Sequence, residues 1–155
     1  MGVRRAAVRD AAGVAELWCA LTAHHRGLDP SFAAGPGEAA AAARLLEGLV
    51  RDPDAELLVW EEEGRGLLGF CSARIRRAAP LALERRCGEI VDLLVHAGER
   101  RRGIGRALVA AASAWLGQRG VGRIEVRVAH ANPEGQAFWR ALGYADLVDV
   151  LHRRL

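Results

Sequence analysis

An arginine-rich segment with two glycines, residues 100–106, carries the clearest chemical potential in the sequence. Gly103 and Gly105 allow the backbone to turn tightly and to approach a ligand closely. The segment is predicted to lie between a strand and a helix, and the N–H groups and dipole at a helix start attract anions. The arginines at positions 100, 101, 102 and 106 add positive charge. A phosphate or pyrophosphate is therefore the natural ligand.

Two common phosphate-binding motifs do not fit this segment. A dinucleotide fingerprint reads G-x-G-x-x-G after the first strand of its fold, whereas here Leu108 stands in place of the third glycine, late in the chain. A P-loop requires a lysine, and the sequence contains none. The segment must therefore be identified from the elements around it.

The hydrophobic pattern predicts a single mixed α/β domain over residues 1–155. Apolar residues that run on or alternate predict strands, and apolar residues that recur every three or four positions predict helices. The predicted strands are 3–8, 57–60, 67–75, 89–95, 123–128 and 146–151, and the predicted helices follow Asp10, span 38–50 and 105–118, and follow the N-cap Asn132. The order is β-α-α-β-β-β-α-β-α-β. The β-α-β unit implies a parallel pair, so a mixed sheet with helices on both faces is expected.

The segment and its context resemble the GNAT superfamily of N-acetyltransferases. Arg100-x-x-Gly103-x-Gly105 matches that family's [RQ]-x-x-G-x-[GA] motif, and the preceding strand ends eight residues before Gly103. After Asn132, residues 138–144 read Phe-Trp-Arg-Ala-Leu-Gly-Tyr and are similar to the family's [FL]-Y-x-x-x-G-F segment. The resemblance covers nearly all of the chain.

The resemblance implies an N-acetyltransferase that uses acetyl-CoA and no metal. The acetyl-CoA would lie between the splayed strands 89–95 and 123–128, with its pantetheine arm along residues 93–95 and its pyrophosphate on residues 101–106. The Val95 N–H would stabilise the oxyanion of the tetrahedral intermediate. The implied cofactor-binding residues are Leu93, Leu94, Val95, Arg100, Arg101, Arg102, Gly103, Ile104, Gly105, Arg106, Asn132 and Trp139.

Such a reaction needs a base, because a lysine-like amine with a pKa of about 10.4 is mostly protonated at neutral pH. Glu89 is the first candidate, since some relatives hold a catalytic glutamate six residues before the residue that matches Val95. Asp92 is the alternative base, and His96 is a weaker one.

The chain departs from the family pattern at Trp139. Relatives commonly hold a tyrosine there as the acid that protonates the leaving thiolate, and an indole cannot serve as that acid. Water would then protonate the thiolate, and Trp139 is expected to pack on the pantetheine or acetyl group, or to fill the core. The alternative is a non-catalytic protein of the same fold that binds or senses acyl-CoA.

The composition indicates which cellular location and which binding partners to expect. The 22 arginines and 19 acidic residues give a net charge of +3, which is weak support for nucleic-acid binding. Three cysteines without C-x-x-C spacing, and no long apolar stretch, predict a cytoplasmic protein without disulfides, a zinc site or a membrane segment. The expected partner is a small-molecule or peptide amine, and a homodimer is a family-level expectation. The sequence does not identify the amine.

Overall fold

Five strands and four helices form the structure, a computed structural model that describes residues 2–32 and 37–155. The strands are β1 (Gly2–Arg5), β2 (Ala55–Glu62), β3 (Gly66–Arg77), β4 (Arg86–Val95) and β5 (Ile124–Val126). The helices are α1 (Ala11–Leu28), α2 (Glu38–Arg51), α3 (Ile104–Gln118) and α4 (Pro133–Ala141). Short 3-10 turns at Val8–Asp10, Pro30–Phe32 and Ala97–Glu99 connect them.

The strands form one mixed sheet in the order β1-β2-β3-β4-β5. All neighbouring pairs are antiparallel except β4 and β5, which are parallel because α3 crosses from the end of one to the start of the other. Gly64 and Gly66 adopt positive φ and close the β2–β3 hairpin. The predicted mixed sheet is confirmed.

Each face of the sheet carries its own apolar core. On one face, α1 and α2 pack on Leu57, Val59, Phe70 and Leu94. On the other face, α3 and α4 pack on alternate residues of the same strands, such as Leu58, Cys71 and Ile90. Because successive side chains of a strand point to opposite faces, β4 presents residues to both helical layers.

The predicted final strand at 146–151 is wrong. This segment has no regular secondary structure, although its sequence pattern suits a strand. The side chains of Leu147, Val148, Val150 and Leu151 are 65–91% exposed. A strand requires a partner backbone, and the segment pairs with no strand of the described residues.

Two other predicted strands are shorter than expected. The first strand ends at Arg5 instead of residue 8, because the Asp10 side chain accepts the Ala7 N–H at 2.7 Å and bends the chain into a 3-10 turn. The fifth strand covers only Ile124–Val126 instead of 123–128. None of the helices in the described ranges is long and apolar enough to span a membrane.

Asp10 links β1 to the start of α1, and removal of its carboxylate is expected to destabilise the fold. Arg4 donates two hydrogen bonds, of 2.7 and 2.9 Å, to the Asp10 carboxylate, and these lower the pKa of Asp10 to about 2. We expect Asp10→Asn to cost about 1–3 kcal/mol of unfolding free energy at pH 7. A carboxyl whose folded pKa lies below its ordinary 3.8 stabilises the fold above that value and loses this effect as the pH falls.

Denaturant unfolding at several pH values tests this expectation. The difference between wild type and Asp10→Asn should shrink from pH 4 towards pH 2. Glu47→Gln is the matched control, because Glu47 pairs with Arg51 on the exposed surface of α2 and should change stability by less than about 0.5 kcal/mol. A constant difference across the pH range would contradict the assigned ion pair.

Candidate active site

A gap opens between β4 and β5 beyond the third paired residue. The two strands pair only from Gly88 with Ile124 to Ile90 with Val126. The next residue of β4, Val91, forms a β-bulge, since the register with β3 passes from Ile90 directly to Asp92. A bulge bends its strand and increases the local twist, which separates β4 from β5. The predicted splaying of these two strands is confirmed.

The bulge also decides which backbone groups of β4 face the gap. The His96 N–H donates to the Leu68 carbonyl at 2.8 Å, so His96 is oriented towards β3. Backbone groups alternate in direction along a strand, so those of Leu93 and Val95 point away from β3 and into the gap. β5 has already ended its pairing at this level. The Val95 N–H is therefore directed at the space where a ligand can lie beside β4.

The turn between β4 and α3 presents backbone N–H groups. Arg101 has a φ of 65° and Gly103 a φ of 81°, both in the left-handed region. Left-handed residues in such a turn direct successive N–H groups into a concave nest that suits an anion. α3 begins at Ile104 without a side-chain cap, so the N–H groups of its first turn have no intrahelical partner. The pyrophosphate position that the resemblance implies at residues 101–106 stays a prediction.

The arginines of this turn differ in their surroundings. Arg102 forms ion pairs with Glu99 and with Glu62, the latter at 3.3 Å. Arg100 lies 3.5 Å from Glu134, at the exposed start of α4. Among the described residues, the side chains of Arg101 and Arg106 make no ion pair. Within the described residues, the charges of Arg101 and Arg106 are therefore not offset by an acidic partner.

Two α4 predictions concern Asn132 and Trp139. Asn132 accepts the Gly135 N–H through Oδ1 at 3.0 Å, so its predicted role as N-cap is confirmed. Trp139 is 8% exposed and packs edge-on against Phe138 and Tyr144. Of the placements expected for Trp139, the structure shows the core-filling one. Contacts of either residue with CoA stay predictions.

Glu89 is held in an ion pair. Its side chain is 9% exposed, and both Nε and Nη2 of Arg74 lie 2.7 Å from its Oε2. Arg127 lies 4.0 Å from the other carboxylate oxygen. Glu89 sits beside the paired part of β4 and β5, below the point where the gap opens. Because Arg74 binds the Glu89 carboxylate, this group is already engaged in an ion pair.

Asp92 lies at the mouth of the gap on the α1 face. The Ser72 hydroxyl donates to its Oδ2 at 2.7 Å, and its own N–H donates to the Ser72 oxygen at 3.1 Å. Burial raises the pKa of Asp92, against opposing effects of Ser72, His25, Trp18 and Arg74. A partly buried carboxyl with a raised pKa is better suited to accept a proton near neutral pH. Sequence reasoning named Asp92 as the alternative base but missed Ser72, a lone hydroxyl in an apolar strand.

A cavity of about 310 Å³ lies between α1, the following 3-10 turn and β4. Asp92 forms part of its wall, together with Trp18, His25 and Phe32. Burial lowers the pKa of His25, and His24 lowers it further, against a weaker opposite effect of Asp92. These surroundings therefore favour the uncharged form of His25. The residues that the structure describes contain no cluster of three or more His, Cys, Asp or Glu side chains suited to a metal.

A second cavity, of about 640 Å³, lies on the same face at the far end of β4. His96, the weaker base candidate, lines it together with Glu99 and Arg65. Glu99 and Arg65 are paired with each other, and the N–H of His96 belongs to the β3 ladder. Glu89 and Asp92 on β4, and His96 directly after it, therefore do not form one cluster: Asp92 and His96 line different cavities, and Glu89 lines neither.

Comparisons with known proteins agree with this geometry. The family model described as the acetyltransferase (GNAT) family matches residues 17–144. No curated protein sequence gives a significant match.

Several solved structures are similar to this one. A tetramutant of the BH1408 protein from Bacillus halodurans superposes with a TM-score of 0.89 at 22% identity, over 100% of both chains. Aminoglycoside N-acetyltransferase AAC(6')-Iy in complex with CoA superposes with a TM-score of 0.78 at 19% identity, over 99% of this chain and 93% of that one. An aminoglycoside acetyltransferase from an uncultured soil metagenomic sample, in complex with sisomicin, gives a TM-score of 0.71 at 17% identity, over 99% and 93%. At these identities the likeness establishes the fold.

Proposed function

Because this chain belongs to the GNAT family of acetyltransferases, we propose that it moves the acetyl group of acetyl-CoA to a primary amine. The observation that carries the proposal is the gap between β4 and β5. The free backbone groups of Leu93 and Val95 face this gap, and the uncapped start of α3 lies at its end. A long ligand with an extended amide-containing arm and a pyrophosphate matches these features.

In the proposed complex, acetyl-CoA replaces the missing part of β5 beside β4. The amides of its pantetheine arm pair with Leu93 and Val95 like a short strand. Its pyrophosphate rests on the N–H groups of residues 101–106, with Arg101 and Arg106 nearby. Asn132 and Trp139 border the same space from α4. The acetyl thioester then lies beside the Val95 N–H.

The proposed reaction is a direct transfer within a ternary complex. The amine nitrogen attacks the thioester carbon, and the Val95 N–H donates to the oxygen that becomes negative. The C–S bond then breaks, and CoA leaves as a thiolate. A thiol pKa of about 8.5 makes this thiolate a tolerable leaving group, so water can protonate it without a tyrosine at position 139. The proposed steps use no metal.

We assign the base role to Asp92 in preference to Glu89. Asp92 lines a cavity beside the gap, whereas Arg74 engages the carboxylate of Glu89 beside the paired strands. Asp92 lies three residues before Val95, about 10 Å along β4. An amine or a bridging water can occupy that interval. Glu89 is proposed to position β4 through its arginine partners.

The remaining predictions on partners and location belong to the same proposal. The partner is a small-molecule or peptide amine, without nucleic acid or membrane, in the cytoplasm. A homodimer is compatible with the edge position of β5 and the exposed apolar residues of 146–151, since both offer surface to a second copy.

The alternative is a non-catalytic acyl-CoA sensor, which the buried Trp139 in place of a tyrosine favours. A panel of amines with acetyl-CoA, followed by release of free CoA, separates the two functions. Calorimetry of CoA binding runs alongside, and a blank accounts for the three cysteines. Binding together with turnover is expected. Binding without turnover on any amine supports the sensor, and absence of CoA binding rejects both.

A further inference from the structure

We infer that the amine is a monoamine whose single ammonium is joined by a short linker to an aromatic or bulky apolar group, and that it binds in the cavity between α1 and β4. This inference rests on the proposed function and names its substrate class. The cavity borders Asp92, the carboxylate that is proposed as the base. An amine held there reaches the gap from the α1 face.

Four of the seven described residues that line the cavity are aromatic or aliphatic: Trp18, Leu21, His25 and Phe32. Trp18 and Leu21 contribute from α1, and Phe32 contributes from the 3-10 turn that follows. The rings of His25 and Phe32 lie with their centroids 5.7 Å apart. Such surfaces bind a ring or an alkyl group by apolar contact, and aromatic faces also attract a cation.

The cavity offers one negative charge to a ligand. Asp92 is the single carboxylate among the described residues that line it. Burial lowers the pKa of His25 and so favours its uncharged form. One carboxylate matches one ammonium, whereas polyamines and aminoglycosides carry several.

Charges outside the cavity do not favour a polycation either. The guanidinium of Arg154 donates to the Ser31 hydroxyl at 3.1 Å, and Ser31 lines the cavity. Asp29 lies nearby, where its carboxylate accepts the Ser31 N–H at 2.7 Å and sits near Arg154 and His152. The negative charge of Asp29 is thus balanced by its neighbours. An α-carboxylate on the ligand would also lie close to Asp92, which disfavours free amino acids.

Polar groups reach the cavity from two sides, Asp92 from β4 and Thr22 from α1. Ser72 holds Oδ2 of Asp92, and this fixes the carboxylate on the face of β4 that looks towards α1. Thr22 donates its hydroxyl to the Trp18 carbonyl at 3.0 Å, so its oxygen can still accept from an ammonium. The volume of about 310 Å³ is at the small end of ligand pockets, which span roughly 300–1,000 Å³. A single ring with a short linker fits this scale better than a trisaccharide.

The test compares 2-phenylethylamine with spermidine, kanamycin and L-phenylalanine as acceptors for acetyl-CoA. We expect kcat/KM for 2-phenylethylamine to exceed each of the others by roughly 10-fold or more, the scale of a matched against an unmatched group in such a pocket. Calorimetry of 2-phenylethylamine, with and without bound CoA, reports on the cavity independently of turnover. Equal or better use of spermidine or kanamycin overturns the inference and leaves the proposed function intact.

Phe32→Ala is the informative variant, because Phe32 is partly exposed and its removal spares the core. We expect it to weaken 2-phenylethylamine binding about 3- to 10-fold and to leave CoA affinity unchanged. Leu45→Ala, an exposed apolar residue of α2 outside the cavity lining, is the matched control and should change neither. An unchanged affinity in Phe32→Ala, or no binding of 2-phenylethylamine to wild type, overturns the inference. If wild type does not bind CoA, the proposed function is rejected instead. Calorimetry of 2-phenylethylamine without CoA then still shows whether the cavity binds this amine.

Discussion

Replacing Val95 with proline is expected to lower kcat by about 10²–10³-fold and to change CoA affinity by only a few-fold. Proline lacks the N–H that we assign as donor to the oxyanion. The effect should fall on kcat because this hydrogen bond strengthens only as the thioester oxygen becomes negative. Steady-state kinetics with the best amine and calorimetry with CoA measure the two quantities separately.

The position tolerates proline for a structural reason. The Val95 N–H points into the gap, so its removal breaks no bond of the β3–β4 ladder. Leu94 is already extended, the conformation required of a residue before proline. His96→Pro is the contrasting control, because the His96 N–H donates to the Leu68 carbonyl and its loss should lower the melting temperature.

Val95→Ala keeps the N–H and shortens the side chain, so it should retain most of the activity of wild type. If Val95→Pro folds, binds CoA and turns over at the wild-type rate, the oxyanion donor must lie elsewhere. If only binding of CoA falls, the N–H serves the pantetheine arm and not the reaction.

The turn between β4 and α3 is predictable from a local pattern, whereas the splaying of β4 and β5 was implied by the family resemblance. The spacing of Gly103 and Gly105 between a strand and a helix indicates an anion site without knowledge of the tertiary fold. The two positive φ values at Arg101 and Gly103 then show how the turn presents its N–H groups. Only the glycine could be expected from sequence, since arginine seldom adopts this conformation.

Features that depend on distant contacts were not predictable in the same way. Nothing in the sequence indicates the bulge at Val91, because valine suits a regular strand. Asp92 and Ser72 are 20 positions apart, and their hydrogen bond depends on the register that the bulge sets. The segment 146–151 carries a strand pattern, but a pattern cannot supply the neighbouring backbone that a strand requires. Arg74 likewise meets Glu89 only through strand pairing.

Asp92→Asn is expected to lower kcat/KM by about 10²–10⁴-fold, the range of general base catalysis, with CoA affinity unchanged. In wild type, the rate should rise with pH as Asp92 loses its proton, at a pKa raised above the ordinary 3.8 by burial. In the variant this acidic limb should disappear. The rate should then follow the fraction of free amine, which rises towards a pKa of about 10.4.

Three neighbouring side chains, those of His25, Arg74 and Glu89, bear on the same profile, and two of them are tested by substitution. His25 and Arg74 face Asp92, and both lower its pKa against the effect of burial. His25→Gln should move the acidic limb without removing it. Glu89→Gln should keep the limb and lower the rate far less than Asp92→Asn, because Glu89 is engaged by Arg74. If Glu89→Gln removes the limb and Asp92→Asn does not, the base is Glu89.

The stability of Asp92→Asn is the last test of the role of Asp92. Removal of this charge is expected to keep or raise the stability of the fold, which is unusual. A carboxyl with a raised folded pKa binds protons more tightly in the folded state, so its contribution to stability falls as the pH rises through that pKa. Asp92→Asn should therefore gain stability relative to wild type as the pH rises above 3.8, and should be at least as stable as wild type at pH 7. Thermal unfolding at a series of pH values from about 3.5 upwards measures this. A stable but slow variant identifies a group kept for chemistry at the expense of stability, whereas an unstable one would make Asp92 a structural partner of Ser72.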